Sequence, residues 1–128
     1  MRIAVGETFS GPAILATPDA MKAWAKVLRD PNPIHLDPAI VRAKGLGDRV
    51  INQGPANAAY VLNALITHFA AARIERVSVR FLDNVFGGET ATPSGVVTAV
   101  EGKRIFCDIF LDVGDRRVLS GSAVLTRD

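Results

Sequence analysis

The chain has 128 residues, of which 48% are hydrophobic and 22% charged, with a formal net charge of +2. That is enough sequence for one domain, residues 1–128, to bury a core without staples, and the absence of low-complexity runs and solenoid-period repeats excludes disordered and array architectures. The single Cys107 excludes an internal disulfide and, with no export-type leader in view, sets the expectation of a cytoplasmic protein.

Arg2 to Phe9 alternates loosely, as a strand does, and Gly11 and Pro12 punctuate the chain before Ala13 to Ala16. Thr17 then stands where a cap belongs, Pro18 at the first helical position and Asp19 at the positive end of the dipole. Met21, Trp24, Val27 and Leu28 follow at helical spacing. This helix runs into Asp30-Pro31-Asn32-Pro33-Ile34-His35-Leu36-Asp37. Each proline fixes its own φ and biases the preceding residue away from the α region, so Asp30 and Asn32 are expected to be extended and the loop rigid. A rigid loop holds a carboxylate and an imidazole together at little entropic cost, and Asp30 with His35 forms a candidate acid/base pair. The plainer alternative is a turn in which Asp37 caps a short helix, Pro38 to Lys44, stopped by Gly45.

From Pro55 to Ala72 the chain carries eighteen residues without a formal charge if His68 is neutral. Pro55, Asn57, Asn63, Thr67 and His68 dilute the apolarity too far for a membrane span, so a helix wrapped by a sheet is expected, with small residues at 56, 58, 59 and 64 admitting close approach. Arg76 to Phe86, Glu89 to Val100, Arg104 to Val113 and Val118 to Thr126 alternate as strands, with Glu101-Gly102-Lys103 and Gly114-Asp115 as hairpin turns. One long buried helix followed by an antiparallel meander is an α+β layout. Arg73, Arg76, Arg80, Lys103, Arg104, Arg116 and Arg117 concentrate positive charge in the C-terminal half. That suits a phosphate-bearing ligand, while the six Phe mostly sit in strand patterns rather than on a stacking platform, so nucleic acid is not expected as a partner.

The string Asp-x-Asn-Pro-Ile-His-x-Asp resembles the signature of the MaoC-like, or hydratase 2, family of hot-dog-fold enoyl-CoA hydratases and dehydratases. Ala43-Lys44-Gly45-Leu46 with Val50-Ile51-Asn52-Gln53-Gly54 resembles the family segment leading into its central helix, and Val79 to Thr90 resembles its Val-Arg-Phe strand followed by Gly and an acidic residue. The resemblance covers residues 30 to 90 and implies a single hot-dog domain, an antiparallel sheet around one long helix. It also implies reversible syn hydration of a trans-2-enoyl-CoA to an (R)-3-hydroxyacyl-CoA, with Asp30 and His35 sharing the water. One of the two accepts a proton from water and the other supplies one at the α-carbon, in a division the residues leave open.

Charge developing on the thioester oxygen needs a preorganised donor, and the backbone N–H of Gly54 at the start of the long helix is the candidate. Asn32 and Gln53 are candidate substrate-binding residues, Asn32 holding the loop or a water through its amide, although Gln53 and Pro55 depart from the family's His and Met. Arg80 either reaches a CoA phosphate or is a solvated strand arginine. Tyr60 and Leu62 line an acyl channel or serve as core, and His68, with no matching carboxylate, reads as a packed or capping residue. No cofactor is expected, and no metal: Asp30, His35 and Asp37 offer ligands, but the prolines already account for the loop. Two rivals remain, a hot-dog acyl-CoA thioesterase and a non-catalytic acyl-CoA-binding subunit of a heteromeric dehydratase. All three readings imply an acyl-CoA thioester as ligand and pairing with a second copy or with a paralogue.

Overall fold

The computed structural model describes residues 2–128. Strands β1 (Thr8–Ser10) and β2 (Ile14–Leu15) lead into helix α1 (Pro18–Leu28), a 3-10 turn at Pro33–His35, helix α2 (Pro38–Ala43) and the long helix α3 (Gly54–His68). Strands β3 (Ala72–Phe81), β4 (Thr90–Glu101), β5 (Arg104–Val113) and β6 (Arg116–Arg127) follow. The sheet is antiparallel in the order β1-β4-β5-β6-β3, with β2 also on β4. β3 therefore lies at one edge although it precedes the meander in sequence.

The local signals behave as their chemistry dictates. Thr17 caps α1 by accepting from Ala20 N at 3.1 Å, and Asp37 caps α2 by accepting from Ala39 N at 2.9 Å. Gly102 and Gly114 take φ of 62° and 58°, the left-handed values that the two hairpin turns require. Three boundaries differ from expectation. The first strand is confined to Thr8–Ser10, because Gly6 bends the chain at φ 89° while Ile3 still packs into the core. α3 ends at His68, and β3 takes over at Ala72, so the uncharged run is shared between two elements. β3 stops at Phe81 rather than Phe86; residues 82–89 form a loop whose Phe86 makes an isolated bridge with Ile51.

The sheet wraps α3 as the small residues predict. Ala56, Val61, Ala64 and Leu65 are buried with Ile105, Ile109, Leu111, Leu119 and Leu125 of the sheet. Each large aliphatic side chain so buried contributes about 1.5–3 kcal/mol against its own ordering cost. Close approach is required most at Gly121, where a Cβ would stand 2.1 Å from the Ser78 carbonyl oxygen. Among the described residues no helix is long and apolar enough to cross a membrane.

Candidate active site

The proline-stiffened loop sits on a second layer formed by residues 50–53, and backbone hydrogen bonds join the two. Ile51 N donates to Ile34 O at 2.9 Å, and in return the His35 Nδ1 lies 2.6 Å from Ile51 O. A carbonyl oxygen only accepts, so Nδ1 carries the proton, and the tautomer this selects for the uncharged ring has its lone pair at Nε2. That Nε2 lies 3.5 Å from Asp30 Oδ2, wider than a direct hydrogen bond and close enough for both atoms to engage one water. The other oxygen, Asp30 Oδ1, accepts from Asn32 N at 3.2 Å, and Asn32 Oδ1 accepts from Ile34 N at 3.3 Å. Asp30 is thus tethered at one oxygen and open at the other. The His35 side chain is 9% exposed and that of Asp30 40%, so the pair faces outward from a buried base.

Gly54 is the first residue of α3, where helix geometry supplies no intrahelical acceptor for its N–H. Gln53 makes no side-chain cap; fully buried, it donates through Nε2 to Met21 O at 2.8 Å and ties the start of α3 to α1. Its Oε1 and the Asn52 Oδ1 are buried without a hydrogen-bond partner among the described residues. Asn52 Nδ2 donates to Asn57 Oδ1 at 2.7 Å and to the Tyr60 hydroxyl at 3.1 Å, so Tyr60 is buried and tied inward.

Arg80 stands on the opposite face of β3 from Val79 and Phe81, exposed and in register with Ser120. It is Phe81 that reaches the helix start: a Cβ on Gly54 would lie 3.2 Å from its ring. The basic set read from the C-terminal half is partly consumed within the fold. Arg116 pairs with Glu89 and Asp83, Arg117 with Asp112 and the Phe110 ring, and Arg104 with Glu75. Three basic residues from the other half of the chain do line a groove with Asp30. That groove, of about 560 Å³, is lined by Lys22, Lys26, Arg29, Ala25, Pro31 and Leu36. Helical spacing of Lys22, Lys26 and Arg29 was the signal available for this, since i, i+4 and i+7 share a face. Ile51 and Phe81 offered no such signal, as an anchoring backbone carbonyl and a ring over a glycine depend on long-range packing.

His68 has the matching carboxylate that the sequence did not reveal: its Nε2 lies 2.8 Å from Glu7 Oε2, and its ring stacks on Phe9. Among the described residues, no three His, Cys, Asp or Glu side chains converge as metal ligands would.

A family model described as MaoC like domain matches residues 2–116. The (R)-hydratase from A. caviae involved in PHA biosynthesis superposes with a TM-score of 0.90 at 23% identity, over 98% of each chain. A chain of the ChsH1-ChsH2 complex from Mycobacterium tuberculosis gives 0.88 at 19% identity, over 99% of this chain and 100% of that one. The unliganded R-hydratase PhaJ1 from Pseudomonas aeruginosa gives 0.86 at 20% identity, over 98% of this chain and 82% of its own. These likenesses establish the fold as the hot-dog arrangement, a single α+β domain. No curated sequence matches the chain.

Proposed function

The chain belongs to the MaoC-like dehydratase family, and from that premise we propose that it catalyses reversible hydration of trans-2-enoyl-CoA through Asp30, His35 and the Gly54 N–H. The observation that carries this reading is the pairing of Asp30 Oδ2 with His35 Nε2 across 3.5 Å while His35 Nδ1 is anchored on Ile51 O. A water held between the two loses a proton to the Nε2 lone pair as its oxygen bonds to the β-carbon. The Asp30 carboxylate orients that water and offsets the imidazolium charge. The same proton then passes to the α-carbon, so one water is added to the double bond from one face and His35 ends neutral. Negative charge on the thioester oxygen during this step is met by Gly54 N–H at the positive end of a fifteen-residue helix. Asn32 holds the loop, and Gln53 holds the helix start in place.

The cations around the groove at Asp30 support a phosphate-bearing thioester such as CoA. Phe81 and Leu82, 52% and 48% exposed at the end of edge strand β3, support pairing along that edge with a second copy or a paralogue. A non-catalytic subunit has no need of an anchored histidine facing a carboxylate, and the same pair favours hydration over thioester hydrolysis.

The test follows the conjugated thioester absorbance of trans-2-enoyl-CoAs of increasing length. Wild type is expected to bleach it without releasing thiol, and folded Asp30→Asn and His35→Ala variants to lose on the order of 10²–10⁴ in kcat. Thiol release from a saturated acyl-CoA, or no hydration at any chain length, would overturn the reading.

A further inference from the structure

We propose that Glu89, locked by Arg116, is a positioning residue that sets the tautomer and orientation of His35 through the loop 82–89. This rests on the proposed role of His35 in hydration.

The link is continuous in the hydrogen bonds. Glu89 Oε1 accepts from Arg116 Nη2 at 2.8 Å and from the Phe86 backbone N–H at 2.8 Å. The same Arg116 Nη2 donates to Asn84 O at 3.0 Å, while Nε stands 3.2 Å from Asp83 Oδ2 as a charge contact without hydrogen-bond geometry. One guanidinium on β6 and one carboxylate thus hold both ends of the loop. The middle of the loop holds the layer beneath the active site: Asn52 N donates to Val85 O at 2.7 Å, Gly87 N to Val50 O at 2.8 Å, and Ile51 bridges Phe86. Ile51 O is the acceptor that fixes His35 Nδ1–H. The loop is also tied at its ends by Leu82 N to Val118 O at 2.9 Å and Gly88 N to Ala16 O at 2.7 Å, but the Phe86 N–H beside the Ile51 bridge is held by Glu89 alone among the described residues.

Glu89 is 13% exposed at its side chain, too enclosed to be a solvent ion pair and separated from His35 by the whole 50–52 layer. Its effect on the reaction is therefore indirect. Losing the carboxylate leaves the Phe86 N–H unpartnered and Arg116 held only by Asn84 O and Asp83, so the Ile51 carbonyl relaxes and the His35 ring loses its preference for the Nδ1–H form.

Two readouts test this. Imidazole nitrogen spectra of the full chain report the tautomer directly; with only two histidines, His68→Gln identifies the His35 signals. Steady-state hydration of a trans-2-enoyl-CoA separates kcat from KM. Wild type is expected to hold His35 as Nδ1–H. Glu89→Ala should mix the tautomers and lower kcat on the order of tenfold to a hundredfold with KM little changed. Glu89→Gln, which keeps an oxygen for Phe86 N–H, should recover part of both. A folded Glu89→Ala variant with His35 still fixed as Nδ1–H would overturn the proposal, whether or not kcat falls. If Glu89→Ala does not fold, Glu89→Gln and Arg116→Met carry the same readouts. If wild type hydrates nothing, the reaction reading fails, and the nitrogen spectra alone decide whether Glu89 governs His35.

Discussion

The two histidines of this chain each face a carboxylate, and the difference between the two pairs separates stability from chemistry. His68 Nε2 meets Glu7 Oε2 directly at 2.8 Å, with its ring stacked on Phe9 and edge-on to Phe69 at the end of α3. Both side chains are about one-third exposed, so the pair joins a surface seam between β1 and α3, with no gap between its two atoms for a bridging water. His35 is the reverse case. Its ring is buried and anchored by a backbone carbonyl, and its free nitrogen stops 3.5 Å short of Asp30. A satisfied pair can only hold; an anchored pair with a gap can share a water with a substrate.

Exchanging the two losses gives the largest expected effect. His35→Gln should remove on the order of 10²–10⁴ of kcat while the protein stays folded. His68→Gln should leave kcat per folded molecule intact. Steady-state hydration beside thermal unfolding checks both, and a His68 variant that is inactive yet folded would erase the distinction.

This contrast was only half legible in the sequence. Asp30 and His35 are five positions apart on a proline-stiffened loop, and the caps at Thr17 and Asp37 and the turns at Gly102 and Gly114 are local signals of the same kind. Glu7 and His68 are 61 positions apart, and His35 and the carbonyl that fixes it are 16 apart. Neither pair carries a periodic or capping signal: β1 packing on α3 joins the first, and the 30–37 loop lying on residues 50–53 joins the second. The β3 boundary failed for a related reason. Alternation continues through Val85 and Phe86, but Arg116 and the 50–52 layer draw those residues away from β6, where Leu82 and Asp83 N–H both turn to Val118 O. The cations at Asp30 were present in α1 as a helical stripe; what hid them was the larger count of arginines downstream, several of which the fold pairs internally.

The next test loads the structural histidine rather than removing it. Phe9 is buried, stacks on His68 at 5.1 Å between ring centroids and meets Phe69 edge-on at 5.4 Å. Phe9→Ala should cost about 3–5 kcal/mol of unfolding free energy, read from denaturant titration. Per folded molecule, kcat should be unchanged. Glu7→Gln probes the charge alone and should cost no more than about 1 kcal/mol, since the pair is partly exposed and screened. A larger loss would mean that the seam between β1 and α3 depends on the ion pair rather than on the rings.

The smallest effect concerns a third carboxylate, whose pairing resembles that of Glu7 but whose burial resembles that of His35. Burial alone would raise the Glu89 pKa, yet the Arg116 hydrogen bond, the Phe86 N–H and the charges of Arg116 and Arg49 together bring it below the usual value. A carboxyl whose folded pKa is depressed contributes stability above its unfolded value and loses it as pH falls through the folded one. The melting temperature should therefore decline on acidification below the ordinary glutamate range near about 4.3, and Glu89→Gln should flatten that decline by lowering the melting temperature at neutral pH, where the carboxylate's contribution is present in wild type. If Glu89→Gln leaves the acid limb as steep as in wild type, the Glu89–Arg116 pair adds nothing to the hold on the loop 82–89, and the anchoring of His35 must come from Ile34 and Ile51 alone.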